Sequence, residues 1–168
     1  MFAYTLLFVF PMAMIIAAMS DVMTMKIPNW ISVVLFAGFL VIAPVSGLSL
    51  ELFGSHMLAG FCLLAAGIAL FATGKLGGGD AKLIAAGGFW VGFAALPAYL
   101  LYIAVFGGIL ALTILAYRNL VPVANLPLPG WAIRLYDKDG GIPYGVAIAA
   151  GALAAFPQTV LYSLVMLG

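Results

Sequence analysis

The sequence predicts an all-α integral membrane protein with six transmembrane helices, formed as a single domain from residues 1–168. Hydrophobic residues make up 67% of the chain and charged residues only 7%, whereas about a quarter of the residues in an ordinary soluble domain are charged. The apolar segments have close to the roughly 20 residues that an α-helix needs to cross a hydrocarbon core. A polytopic helical fold follows from these two observations.

Six apolar segments are predicted as the transmembrane helices: residues 4–20, 29–45, 57–73, 81–96, 98–117 and 143–166. Pro97 separates the fourth helix from the fifth. The first segment has no Lys or Arg before it, so we expect it to remain as a helix rather than to be removed as a signal peptide. Residues 20–29 are predicted as a loop or a frayed helix end and residues 46–56 as a connection. The polar segment 118–142 carries Trp131 and Tyr136, whose rings favour the headgroup level, so a short interfacial helix is expected there.

The distribution of basic residues predicts the orientation of the six helices. Alternation of sides places the loops after the first, third and fifth helices on one face. Those loops, together with the first turn of the fourth helix, hold every basic residue of the chain: Lys26, Lys75, Lys82, Arg118, Arg134 and Lys138. The positive-inside rule makes that face cytoplasmic and both termini external.

The same alternation brings two acids to the cytoplasmic edge. Asp21 follows the first predicted helix, and Asp80 precedes the fourth within the segment Gly-Lys-Leu-Gly-Gly-Gly-Asp-Ala-Lys, residues 74–82. An acid at the edge of the hydrocarbon region is a functional candidate because its burial is costly. Glycines without Cβ, directly before Asp80, leave room for a partner to approach its carboxylate: Gly77, Gly78 and Gly79.

Two carboxylates at one depth can share a water molecule and a proton. Aspartic proteolysis requires this arrangement, since one ionised carboxylate takes a proton from water while the other, protonated, polarises the scissile carbonyl. The sequence does not say which aspartate has which role. No cofactor or metal is expected, because the lone Cys62 excludes a multi-cysteine zinc module. The net charge of +1 gives no electrostatic support for a nucleic-acid partner.

The motifs resemble those of one family of membrane enzymes. Asp21 is followed by Ile-Pro-Asn at 27–29, a G-x-G-D motif lies at 77–80 with Lys82 after it, and Pro-Tyr-Gly-Val-Ala-Ile lies at 143–148. This combination resembles the type IV prepilin peptidases and the related preflagellin peptidases, which are membrane aspartic proteases. The resemblance extends from Asp21 to about residue 151.

The resemblance implies that Asp21 and Asp80 are the catalytic pair. It implies a pilin-like precursor protein as the substrate, cut at its leader on the cytoplasmic face of the bacterial inner membrane, with membrane lipid as the surrounding partner. We assign substrate binding to Gly77, Gly78, Gly79 and Lys82. The small size looks most like the Flp-type (tight-adherence) prepilin peptidases, and the single cysteine argues against the methylation activity of the bifunctional members. No oligomeric state is predicted.

Three other interpretations compete with proteolysis. Each aspartate could simply cap a helix, which would explain Asp80 well and Asp21 poorly. The acids could belong to an ion path in a transport or assembly subunit, although such acids are expected nearer the bilayer midplane. A metal-dependent phosphotransferase would need a denser acid cluster. We interpret Lys26, Lys75 and Lys82 as topology and headgroup anchors rather than as catalytic groups. We predict that Glu51 and His56 are surface residues and that residues 137–141 form a solvated turn rather than a calcium loop.

Overall fold

The computed structural model describes residues 2–120, 127–137 and 141–167, and within these ranges the chain is helical and has no β-strand. The prediction of an all-α fold is therefore confirmed for this part of the chain. The helices are α1 Phe2–Leu7, α2 Val9–Thr24, α3 Asn29–Val45, α4 Leu50–Ala72, α5 Gly78–Leu120, α6 Gly130–Tyr136, α7 Tyr144–Ala155 and α8 Val160–Leu167, with a short 3-10 helix, Phe156–Gln158, between the last two.

Three of the described helical segments are long and apolar enough to cross a membrane: Ala3–Thr24, Leu50–Ala72 and Gly78–Leu120. A fourth is added if the pair Tyr144–Gln158 and Val160–Met166, bent by 56°, counts as one span. The predicted sixth helix, residues 143–166, is therefore divided by this bend. Helix α3, Asn29–Val45, has the predicted bounds, although it is shorter than the other spans. The chain is a membrane protein.

Two helices extend further than predicted. Helix α2 continues to Thr24, so Asp21 lies inside its last turn and not in a loop. The helix ends at Met25, which has the left-handed conformation with φ 55°. Helix α4 begins at Leu50 instead of residue 57, because the hydroxyl of Ser49 accepts a hydrogen bond from the N–H of Leu52 at 3.3 Å and so caps this end. The predicted connection 46–56 is consequently helical in its second half.

The fourth and fifth predicted helices are the two arms of α5, residues 78–91 and 93–120, and the break lies at Gly92 rather than at Pro97. Gly92 has φ 73° and ψ 170°, a conformation that is open to glycine and costly for other residues. The hydroxyl of Tyr99 donates a hydrogen bond to the carbonyl of Ile84 at 3.3 Å. In a straight helix these residues would be about 22 Å apart, so the chain turns back on itself at Gly92.

The first arm of α5 is largely buried and packs against α2, α3 and α4. Trp90 of this arm is fully buried, and its indole N–H donates to the carbonyl of Leu35 in α3 at 2.7 Å. Its ring also contacts Phe10 of α2, with the ring centroids 5.2 Å apart. This packing places the start of α5, and with it Asp80, beside the end of α2.

The predicted short helix within residues 118–142 is present as α6. Arg118 ties it to the second arm of α5, because its Nε donates to the carbonyl of Leu135 at 2.8 Å. Arg134 ties it to α2, since its guanidinium donates to the carbonyl of Met23 at 2.7 Å. The predictions for Lys138 and for the turn at 137–141 fall wholly or partly outside the described residues.

The two residues predicted to lie on the surface, Glu51 and His56, differ in their exposure. Glu51 is exposed, in the first turn of α4, as predicted. His56 is only 2% exposed, so its prediction is wrong. The extension of α4 to Leu50 places His56 inside the helix, where it faces the broken part of α5. Its Nδ1 lies 2.7 Å from the carbonyl oxygen of Phe89.

Candidate active site

Asp21 is directed into the bundle by the periodicity of α2. The buried residues of this helix recur at helical spacing: Phe10, Ala13, Met14, Ala17 and Asp21. The side chain of Asp21 is 6% exposed. Its Oδ2 accepts a hydrogen bond from the backbone N–H of Gly145, at the start of α7, at 2.7 Å. A carboxylate that lies on an apolar helix face is thus provided with a partner from a distant part of the chain.

Asp80 is the third residue of α5 and is half-buried. The backbone of Gly77, just before the helix, makes a hydrogen bond to its carboxylate. A Cβ added at Gly77 would lie 2.7 Å from Oδ2 of Asp80, and one added at Gly79 would lie 3.2 Å from Cβ of Ile27. These glycines therefore allow the chain to pass close both to the acid and to the loop after α2.

The two acids line one open pocket of about 340 Å³ at the end of the bundle. Its lining residues come from the end of α2, the following loop and the start of α5: Asp21, Met25, Lys26, Ile27, Gly77, Gly78, Gly79 and Asp80. The charges of the two carboxylates interact across this pocket. The structure thus brings together five of the six residues that the sequence singled out, namely both aspartates and the three glycines.

Ile27 forms one wall of the pocket and is held by the loop that follows α2. The carbonyl of the neighbouring Lys26 accepts hydrogen bonds from Ser20 at 2.9 Å and from Thr24 at 3.3 Å. Ile27 packs against Gly79 on one side and Gly145 on the other. The sequence motif included Ile27, but nothing in the sequence indicated that Gly145 would meet Asp21, because the two are 124 residues apart.

Lys82 lies outside this pocket. Its Nζ donates to Oδ1 of Asn29, at the start of α3, at 2.8 Å. The side chain lines a neighbouring apolar groove of about 320 Å³, whose other walls come from α3, α4 and α5 and include Phe36 and Phe89. The lysine that lines the pocket with the aspartates is Lys26.

Helix capping applies to both acids, and the expectation that it explains Asp21 poorly is wrong. Asp80 lies in the first turn of α5. Asp21 caps α7 from another helix, since the N-cap residue of α7, Pro143, makes no side-chain capping bond. Capping and a shared pocket coexist here, so a role in capping does not argue against a role in chemistry.

Metal-ligating side chains do not cluster in the described part of the chain. No group of three or more His, Cys, Asp or Glu side chains could hold a metal ion there. The arrangement consists of two interacting carboxylates in an open pocket, with backbone amides as their hydrogen-bond partners.

A helical membrane protein with two interacting carboxylates in one pocket fits the class of membrane-embedded hydrolases. The profile of the type IV leader peptidase family matches residues 8–112, which is more than half of the chain and includes both aspartates. The chain therefore belongs to the type IV leader peptidase family. It is a membrane peptidase with a prepilin-type substrate. No curated protein and no solved structure matches the chain.

Proposed function

We propose that this protein is an aspartic endopeptidase that cleaves the leader peptide of Flp-like prepilins at the cytoplasmic face of the bacterial inner membrane. Asp21 and Asp80 are the catalytic pair. The observation that carries this proposal is that both carboxylates line one open pocket and interact through their charges. Membership in the leader peptidase family supports proteolysis. The acids also lie in a pocket at the end of the bundle, whereas the acids of an ion path are expected nearer the bilayer midplane.

The chemistry needs one ionised and one protonated carboxyl group. Two interacting carboxylates are not both ionised at low cost, so they readily share one proton. The ionised group takes a proton from water as the water oxygen bonds to the scissile carbonyl carbon, and the protonated group gives its proton to the carbonyl oxygen. The tetrahedral intermediate then collapses: the C–N bond breaks, the leaving nitrogen receives the proton taken from water, and one hydroxyl group of the intermediate returns its proton to the other carboxylate, which restores the pair.

The glycines of the pocket provide the surface for the peptide. Gly77 is exposed, Gly78 and Gly79 are half-buried, and all three line the pocket without side chains that would fill it. An extended peptide can therefore approach both acids along their backbone. We assign Lys82 a contact with the substrate at the mouth of the adjacent groove, where its ammonium group is exposed beside Asn29.

The proposed topology has six crossings within a single domain. The two arms of α5 supply two of them, because the chain reverses at Gly92. The bent pair formed by α7 and α8 supplies another. Contacts of Lys82 with Asn29 and of Arg134 with Met23 lie at the same end as the pocket. The positive-inside rule then makes that end cytoplasmic.

Co-expression with candidate precursors tests this function. A Flp-type prepilin should gain electrophoretic mobility when it is expressed with the wild-type protein, and N-terminal sequencing should show a new end after the leader. The shift should be absent with the Asp21→Asn and Asp80→Asn variants at equal membrane levels. Leader removal that persists with either variant would contradict the proposal.

A further inference from the structure

The start of α7 holds one of the two carboxylates of the pocket. Gly145 is the second residue of α7, and its N–H donates to Oδ2 of Asp21 at 2.7 Å. Gly145 and Asp21 are both buried, so water does not compete strongly for this bond. A hydrogen bond from an amide to a carboxylate in such surroundings is stronger than one between neutral groups.

The space around Gly145 admits no side chain. A Cβ at this position would lie 2.8 Å from Oδ2 and 3.1 Å from Cβ of Asp21, and 2.9 Å from Cδ1 of Ile27. Real Cβ atoms rarely have such close neighbours, so even alanine would displace the carboxylate or the isoleucine. Glycine is required at position 145 because of the approach of Asp21 and Ile27.

Close packing fixes the donor itself. The ring of Tyr144 lies directly on Gly107 in the second arm of α5, where no Cβ could fit. About two turns further along α7, a Cβ at Gly151 would lie 2.7 Å from the backbone N of Ile103. Before the helix, the carbonyl of Gly141 accepts a hydrogen bond from Arg118 at 2.7 Å. The N-terminus of α7 is thus anchored to α5 independently of Asp21.

We propose that the backbone amide of Gly145 is the positioning group that orients Asp21 for catalysis. It engages Oδ2 and so leaves Oδ1 to act on water in the pocket. Gly145 is not among the residues that line the pocket, so we assign it no contact with the peptide and no catalytic role. The inference rests on the proposed function, because it concerns how a carboxylate of the same site is held. Position 145 lies beyond the residues that the family profile matches, 8–112.

Replacement of one atom tests the role of the amide. Incorporation of glycolic acid at position 145 converts the amide into an ester, which removes the N–H and adds no volume. We expect kcat to fall by about 10- to 100-fold, as for the loss of a hydrogen bond to a charged group, with KM within about threefold of wild type. The optimum of the pH–rate profile should also shift, since the N–H binds one protonation state of Asp21 preferentially.

The same ester at Gly151, which lies in α7 away from Asp21, is the matched control and should retain kcat and the pH–rate profile. An unchanged kcat and pH profile in the Gly145 ester would overturn the inference.

A second measurement does not depend on cleavage. Gly145→Ala should lower the melting temperature, and this loss should shrink when Asp21→Ala removes the oxygen that the new methyl group meets. Ile27→Ala serves as the comparison. If only Ile27→Ala, and not Asp21→Ala, reduces the loss of melting temperature caused by Gly145→Ala, then the new methyl group disturbs only packing against Ile27 and the inference is overturned. Additive losses with Asp21→Ala would overturn it as well. If the decreases in melting temperature are non-additive but the protein cleaves no precursor, only the proposed function is refuted. The contact between Gly145 and Asp21 would still be supported.

Discussion

Nδ1 of His56 lies 2.7 Å from the carbonyl oxygen of Phe89, three residues before the break in α5. In an unbroken helix this carbonyl would accept the N–H of Phe93, which lies beyond Gly92. Because a carbonyl oxygen only accepts, Nδ1 of His56 carries the proton. The ring also stacks on Phe39, with centroids 5.6 Å apart. The buried imidazole therefore provides the hydrogen bond that the turn in α5 removes.

Replacement of His56 by phenylalanine should lower the stability of the fold without affecting the chemistry. The new ring keeps the aromatic contact with Phe39 but leaves the buried carbonyl of Phe89 without its donor, at a cost of about 1–3 kcal/mol. We expect a lower melting temperature in detergent and normal cleavage by the protein that remains folded. Glu51→Gln, on the exposed start of the same helix, is the control. A wild-type melting temperature for His56→Phe would show that this bond does not support the turn.

Two glycines of α5 should respond differently to alanine. Gly92 has φ 73°, and a Cβ there would lie 2.6 Å from Nε2 of His56, so Gly92→Ala combines backbone strain with a collision. We expect a loss of more than about 2 kcal/mol or a large drop in folded yield. A Cβ at Gly108 would have no neighbour within 4 Å, so Gly108→Ala should be neutral or stabilising by up to about 1 kcal/mol. Equal melting temperatures for the two variants would contradict the turn at Gly92.

Some of these features were open to prediction from the sequence and others were not. The length of the apolar segments predicted where the helices lie, and the parity of the basic residues placed Asp21 and Asp80 at one end, where both line a pocket. In the sequence, Pro97 is the more obvious helix breaker, but the φ of a proline is compatible with a helix. The break lies at Gly92 because packing in the folded chain places this glycine in a non-helical conformation, which the local sequence does not indicate.

The contacts that hold the site are long-range, and for that reason local patterns did not reveal them. His56 meets Phe89 across 33 residues, and Asp21 meets Gly145 across 124. Neither pairing leaves a periodic signal, because each depends on how whole helices pack. The start of α4 was missed for a different reason, since a serine followed by leucines is a weak capping signal until the bond from Leu52 is observed.

Lys82 should affect binding of the substrate more than the chemical step. Its ammonium group bonds Asn29 and lies outside the pocket that contains the aspartates, so its loss should leave their geometry intact. We expect Lys82→Met to raise KM several-fold with kcat within about threefold of wild type. Lys75→Met is the matched control and should change neither constant. A fall in kcat with unchanged KM would instead place Lys82 in the chemical step.

The orientation in the membrane can be read from reporter fusions. Fusions at Lys26, Lys75 and Lys138 should report the cytoplasm, and a fusion at Glu51 should report the external side, because the basic residues lie in or beside the predicted loops of one parity. A cytoplasmic signal at Glu51 would refute the six-helix topology and would leave the pocket geometry unaffected.

The catalytic pair is tested most directly by the turnover of purified Asp21→Asn and Asp80→Asn variants on a pilin precursor in detergent. Asparagine caps helices about as well as aspartate, so both variants should fold with melting temperatures near that of wild type. Their cleavage rates should fall by about 100-fold or more, since asparagine neither takes nor gives the proton that the reaction requires. Glu51→Gln, at an exposed acid outside the pocket, should cleave at the wild-type rate. Near-normal turnover by either folded asparagine variant would contradict the assignment of Asp21 and Asp80 as the catalytic pair.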